Sequence, residues 1–218
     1  MDSDSPDVAP PAPRKFVQDR SRRTYEALVD AAFRVFADKG LEDAQTPDIA
    51  AAAGVSVGTF YRYFADKRAA FLEVARRYLE EGERAVMSQL SADNLAGKQR
   101  RATIDHTLEV LIDQCLRSPR LEAVLTSAAL RDPEIARLRA RMENSSCAKL
   151  AELIRAATTR DQCPDPDATA RVVHTAVVEN AVRIAGLRGD TGISRERALA
   201  ALGALVRRTV FGSDPDDE

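Results

Sequence analysis

The chain has no tryptophan, three cysteines and two histidines among 218 residues, and aromatic side chains make up only 5% of it. Cys115, Cys147 and Cys163 stand far apart, with no CxxC pair and no histidine close by, which argues against a zinc site or a disulfide framework. No apolar run approaches the roughly 18 residues of a membrane-spanning helix, and Met1-Asp2-Ser3-Asp4 lacks the basic and apolar regions of a signal peptide. The expectation is a soluble, cytoplasmic chain with no membrane partner. Neither sign of charge dominates: 32 basic side chains face 34 acidic ones, so no global field draws the chain to a polyanion, and any such partner must meet a local patch. No Ser/His/Asp arrangement, paired-carboxylate motif, HExxH or phosphate-cradling glycine loop is visible. No catalytic residue, metal ligand or cofactor is therefore assigned, and the chain is expected not to be an enzyme.

What is present is helical periodicity, and enough of it for one to two domains with a sizeable core, 44% of the residues being hydrophobic. Residues 1–13 carry three aspartates and four prolines with almost nothing apolar, which predicts a disordered tail, and 213–218 predict a second, acidic one. Between Arg14 and Arg68 stand ten basic and eight acidic side chains, with Arg14, Lys15, Arg20, Arg22 and Arg23 crowded at the start. That cluster is either a grip for a polyanion or a solvated helix face. Tyr25, Leu28, Val29, Ala32, Phe33 and Phe36 predict an amphipathic helix over 21–38, stopped by Gly40. Thr46 before Pro47 predicts an N-cap and a helix over 47–53. Gly54 then breaks the chain, and Ser56 predicts the cap of a third helix starting at Val57. Two short helices joined by a glycine turn form a helix-turn-helix pattern. From Asp66 a longer helix is predicted to about 89.

The run Ala31-Ala32-Phe33, Phe36, Gly40, Ile49-Ala50, Ala53-Gly54-Val55-Ser56, Gly58-Thr59-Phe60-Tyr61, Tyr63-Phe64 and Lys67 closely resembles the DNA-binding domain of TetR-family regulators over roughly residues 20–72. The resemblance implies an all-α homodimeric transcription factor: a three-helix helix-turn-helix domain, placed at 14–68, and a helical effector-binding and dimerisation domain, placed at 69–212. It implies a repressor released from its DNA operator by a small molecule. It also implies phosphate contacts by Tyr61 and Lys67, a DNA-facing Thr59 and Tyr63, and a phosphate near Thr46. Arg22 and Arg23 are assigned to the same surface. The residues themselves agree, because a helix entering the major groove needs short side chains first, and Val57, Gly58 and Thr59 supply them. Gly58 serves either close approach to DNA or packing against the preceding helix. Arg62 either reads guanine or binds phosphate. Phe60 and Phe64, four apart, are core candidates.

The rest of the chain predicts five more helices. They cover 99–117, with Cys115 in the core stripe and His106 opposite it, then 121–130, 133–158 opened by Asp132-Pro133, and 166–188 opened by Asp165-Pro166. The last is capped by Ser194. Ser91 to Gly97 is expected to be a polar connection. Ser146 interrupts an apolar stripe and either bonds a carbonyl four residues back or lines a pocket. Tyr78 and His174 are the candidate effector contacts. Asn180, Ile184, Leu202 and Val206, on the two C-terminal helices, are the candidate dimer residues. An alternative assignment is an effector-independent or architectural DNA-binding dimer controlled by a protein partner.

Overall fold

The computed structural model describes residues 14–189 and 192–212; the tails expected at 1–13 and 213–218 lie outside the described residues. Among the described residues ten helices follow one another and no strand forms. They are α1 (Arg14–Asp43), α2 (Thr46–Ala52), α3 (Val57–Tyr61), α4 (Lys67–Met87), α5 (Ala92–Ala96), α6 (Arg100–Arg117), α7 (Pro119–Ala129), α8 (Pro133–Ala157), α9 (Pro166–Ile184) and α10 (Arg195–Phe211). The chain divides into two compact units, Met1–Phe71 and Leu72–Glu218.

In the first unit α1 packs on α2 and α2 on α3. The apolar stripe of α1 supplies Leu28, Ala32 and Phe36, all fully buried, to a core completed by Ile49, Phe60 and Phe71. Phe36 meets Phe71 edge to face at 5.1 Å, and Tyr25 stacks on Phe64 at 5.5 Å. Burial of each such ring contributes roughly 1.5–3 kcal/mol, so Phe60 and Phe64 are core residues as their spacing predicts. Helical geometry in α1 breaks at Gly40, where φ is 79° and ψ 176°, at the predicted stop, and a short further turn follows.

One cap is corrected. Thr46 is not the N-cap of α2 but its first helical residue, and it is buried. Gln45, in extended backbone, takes the cap position and donates its N–H to the Asp48 carboxylate at 3.1 Å. Asp48 in turn pairs with Lys39 at 2.8 Å, and that bond, with the Gln45 N–H, holds its carboxyl below the usual range. α2 ends as the sequence predicts. Gly54 adopts φ 68° and donates to the Ala51 carbonyl, while Val55 N–H reaches the Ala50 carbonyl, the paired bonds of a Schellman turn.

The second unit buries Ile104, Leu108, Ala151, Ile154, Ala170 and Val173 around the α6, α8, α9 and α10 contacts. Asp132 caps α8 through the Glu134 N–H at 2.8 Å, and Asp165 caps α9 through the Ala168 N–H at 3.0 Å. Two expectations change. The Ser91–Gly97 connection contains α5, capped by Ser91 and anchored by buried Leu95. α9 stops at Ile184 rather than near 188, because Gly186, with φ 74°, closes a second Schellman turn through Leu187 N–H to the Val182 carbonyl.

α10 clarifies the candidate dimer residues. Leu202 is only 4% exposed and sits in the chain's own core, with Val206 and Ile184 packed against it. The expectation that Leu202 faces a partner is corrected, since an intrachain core side chain is not free to leave it. Asn180 is exposed, its Nδ2 donating to the Ala176 carbonyl at 2.8 Å. The large apolar side chains left exposed on these two helices are Val172 and Leu205. Inside, Arg207 is 3% exposed and donates to Asp105 at 2.8 Å, tying α10 to α6.

Candidate functional site

Two sites follow, one in each unit. In the first, Ser56 ends an extended segment and accepts the Thr59 N–H at 3.1 Å, which fixes where α3 begins. The Thr59 hydroxyl lies 2.9 Å from that of Ser56, so its orientation is set within the chain. Val57 and Tyr61 are exposed, at 37% and 55%, and Gly58 is exposed beside them. An added Cβ at Gly58 would meet nothing but the Ser56 hydroxyl, at 3.8 Å, an ordinary contact. Packing against α2 is therefore not what requires a glycine there.

Tyr63 is half-buried and turned toward α1. Its hydroxyl donates to the Ser21 carbonyl at 3.2 Å and lies 3.0 Å from the Ser21 hydroxyl, next to the arginine cluster. Lys67 donates to the Glu42 and Ala44 carbonyls at 2.7 and 3.0 Å. It closes the C-terminal end of α1, leaving one of its three N–H groups for another acceptor. Arg62 and Arg23 are exposed with no side-chain partner among the described residues, and Arg22 makes only a 3.8 Å pair with Asp19. Thr46, 9% exposed, offers little surface. Exposed cations at the end of α3 and at Arg20, Arg22 and Arg23 of α1, with a glycine at the start of α3, are what a phosphate backbone and groove require.

The second site is a cavity of about 360 Å³ within the second unit, at the small end of the range for small-molecule sites. Its wall is mainly aliphatic, from α4, α6, α8, α9 and α10, and both Tyr78 and His174 line it. Burial raises the Tyr78 hydroxyl above its ordinary pKa, with the adjacent, hydrogen-bonded Glu122 adding to the effect. His174 Nδ1 is buried and has no hydrogen-bond partner among the described residues. Burial lowers the His174 pKa, Glu143 opposes that, and Arg171 reinforces it.

Ser146 also reaches this wall, together with Glu83, Glu122 and Arg139, which the sequence did not single out. Ser146 Oγ donates to Glu83 at 2.9 Å, which decides between its two readings in favour of the pocket, and Lys149 holds the other Glu83 oxygen at 2.9 Å. Burial raises Glu83, but these two bonds outweigh it and hold the carboxyl below its usual range. Arg139 donates to Glu122 at 3.3 Å and to Thr126 at 3.0 Å. A signal for them was present: Glu83 follows Leu79 by four and precedes Val86 by three, and Arg139 follows Ile135 by four, so both interrupt apolar stripes. Cys115 lines the same wall, its thiol pushed up to about 11 by burial and then by Glu122, which makes it an unreactive core group. No helix among the described residues is long and apolar enough to cross a membrane, and no three His, Cys, Asp or Glu residues among them gather as a metal site would need.

The chain is similar to known proteins in sequence and in fold. Residues 28–74 match the family model described as bacterial regulatory proteins, tetR family. The HTH-type transcriptional regulator YvdT of Bacillus subtilis is 36% identical over 69 residues, covering 32% of this chain and 36% of that one. The nucleoid occlusion factor SlmA of Actinobacillus pleuropneumoniae is 27% identical over 118 residues, 54% of this chain and 55% of that one. The chain thus spans between about a third and about half the length of these curated relatives. A TetR-family regulator from Mesorhizobium loti, solved by crystallography, superposes with a TM-score of 0.73 over 87% of this chain and 96% of that one at 22% identity, which shows a shared fold. The helix-turn-helix geometry at α2–α3, the matched segment 28–74 and the shared all-α fold together support a regulator of the TetR type: a tetR-family DNA-binding segment in a chain with the fold of a solved TetR-family regulator.

Proposed function

We propose that the chain is a cytoplasmic homodimeric repressor that binds a near-palindromic operator and is released from it by a small molecule held in the second unit. The observation that carries the effector part is the cavity itself: an aliphatic space with a buried, unpartnered imidazole nitrogen on its wall. An apolar-walled space of this size beside a buried polar atom with no protein partner is the kind of site a small molecule occupies. For DNA, Val57, Gly58 and Thr59 approach the groove, Arg62 contacts a base edge or phosphate, and Tyr61, Tyr63, Lys67, Arg22 and Arg23 meet the backbone. Thr46 supports this surface from beneath rather than touching it. A twofold dimer presents two copies of α3 to half-sites about 34–36 Å apart or a little more. Release requires that the ligand favour a dimer geometry that no longer fits the groove, and α4, which carries residues of both units, is the element through which we expect that preference to pass.

The test is selection of bound duplexes from a random library by the purified protein, repeated with Arg62→Ala. Enrichment of an inverted repeat supports the dimeric repressor, and a change in preference at one symmetric position in the variant assigns Arg62 to a base. Loss shared equally across all sequences returns Arg62 to phosphate binding. The similarity to a nucleoid occlusion factor favours one second reading, a DNA-binding dimer with a role other than transcriptional control. Salt-sensitive binding with no enriched repeat would select it.

A further inference from the structure

The cavity wall specifies more than the presence of a ligand. Its carboxylates are all partnered: Glu83 by Lys149 and Ser146, Glu122 by Arg139, Glu143 by Arg171 at 3.7 Å, and Glu179 by Arg183 at 3.1 Å and Arg188 at 2.8 Å. A charged ligand would therefore be taken out of water with no free counter-charge waiting for it, which is unfavourable whichever its sign. The charges around His174 are mixed, Glu143 and Glu83 on one side and Arg171 on the other, so neither sign of ligand is favoured there.

Among the buried side-chain polar atoms of the described residues, the one without a hydrogen-bond partner is His174 Nδ1, on a residue of this mainly aliphatic wall. In a neutral imidazole that nitrogen is either a donor or an acceptor, according to the tautomer. A hydroxyl group answers both, since it donates one hydrogen bond and accepts others, whereas a quaternary ammonium answers neither and a carboxylate only the donor form. Resting on the effector-site reading above, we infer that this cavity takes an uncharged aliphatic alcohol, its hydroxyl on His174 Nδ1 and its chain along Leu79, Leu108, Met142, Val177 and Val210. The small volume suits a medium-length chain rather than a polycyclic molecule.

The probes are decan-1-ol, decanoate and decyltrimethylammonium, titrated calorimetrically into the full chain. Two variants accompany the wild type. His174→Phe removes the polar atom while keeping a ring, and Gly82→Phe fills the cavity from α4, where an added Cβ meets nothing within 4 Å. Decan-1-ol is expected to bind at least tenfold more tightly than either charged probe. It should weaken about tenfold in His174→Phe, the loss of one hydrogen bond to a buried group, and should not bind Gly82→Phe. Tighter binding of decanoate or the ammonium overturns the assignment, as does unchanged alcohol affinity in either variant or the absence of any binding. The effector reading fails differently: decan-1-ol would occupy the cavity with His174-dependent affinity yet leave affinity for the selected operator unchanged. Conversely, operator release by one of the charged probes would keep the effector reading and discard the alcohol.

Discussion

At Gly58 stability and function pull in opposite directions. The site is exposed, helical and open to a methyl group, so within the isolated chain alanine is the better residue, by up to about 1 kcal/mol. Gly58→Ala is accordingly expected to raise or preserve the melting temperature while weakening operator binding tenfold or more, because in the proposed complex the methyl would stand where the backbone approaches the groove. Equal operator affinity in the variant would remove Gly58 from the interface. His174 gives a second residue-scale expectation. Its folded pKa lies below the ordinary 6.5, mainly through burial, with Glu143 and Glu83 opposing and Arg171 reinforcing. The unfolded chain thus takes up the proton first as pH falls. His174 contributes stability that is present above about pH 6.5 and is lost as the pH drops from there through the folded value. Thermal melts between pH 7.5 and 5.5 should show a fall that His174→Phe flattens, and an identical slope in both proteins would refute it. Glu83, also depressed, acts at lower pH, below its ordinary 4.5.

At the scale of elements, α10 is locked to α6 by a device that depends on a missing side chain. A Cβ at Gly203 would come within 2.6 Å of the Asp105 carboxylate and 2.9 Å of the Arg207 guanidinium, so alanine there must displace the ends of a pair whose arginine, 3% exposed, has little room to move. Gly203→Ala is expected to destabilise by about 1–3 kcal/mol, the cost of leaving a buried polar group unsatisfied, measured by denaturant unfolding; an unchanged midpoint would show that the pair relaxes freely. This glycine also shows where sequence legibility ends. Helices were legible wherever a short-range signal sets them: Asp132, Asp165 and Ser194 cap α8, α9 and α10, and Ser56 caps α3. They were misplaced where two local signals competed, as at Thr46 against Gln45, or where a glycine outweighed a continuing apolar stripe, as at Gly186. α5 went unseen because Ser91, Asp93 and Asn94 are the residues of a turn, and only burial of Leu95 against distant helices makes them a helix. The helix-turn-helix was legible because it is one contiguous segment. The cavity was less so, since Glu83, Glu122, Arg139 and Ser146 come from α4, α7 and α8 and meet only in space.

At the scale of the whole molecule the proposed function requires two copies, and the exposed apolar side chains say where they should meet. Leu202 belongs to the chain's own core and Val206 packs half-buried against it, but Leu205 is 50% exposed on α10 and Val172 61% exposed on α9, the helix that packs beside it. A twofold interface is self-complementary, so each such side chain is used twice and one substitution inserts two unfavourable groups. Leu205→Glu places two carboxylates in the proposed seam, where desolvation without a partner is costly. In a lone chain the same change lies on the surface and alters stability by no more than about 0.5 kcal/mol. The expected result is a variant that melts like the wild type yet sediments as a monomer. Its affinity for an inverted repeat should fall to that for an isolated half-site, since the second recognition helix no longer arrives with the first. A Leu205→Glu protein that remains dimeric and holds the full operator would place the interface on other surfaces of the second unit.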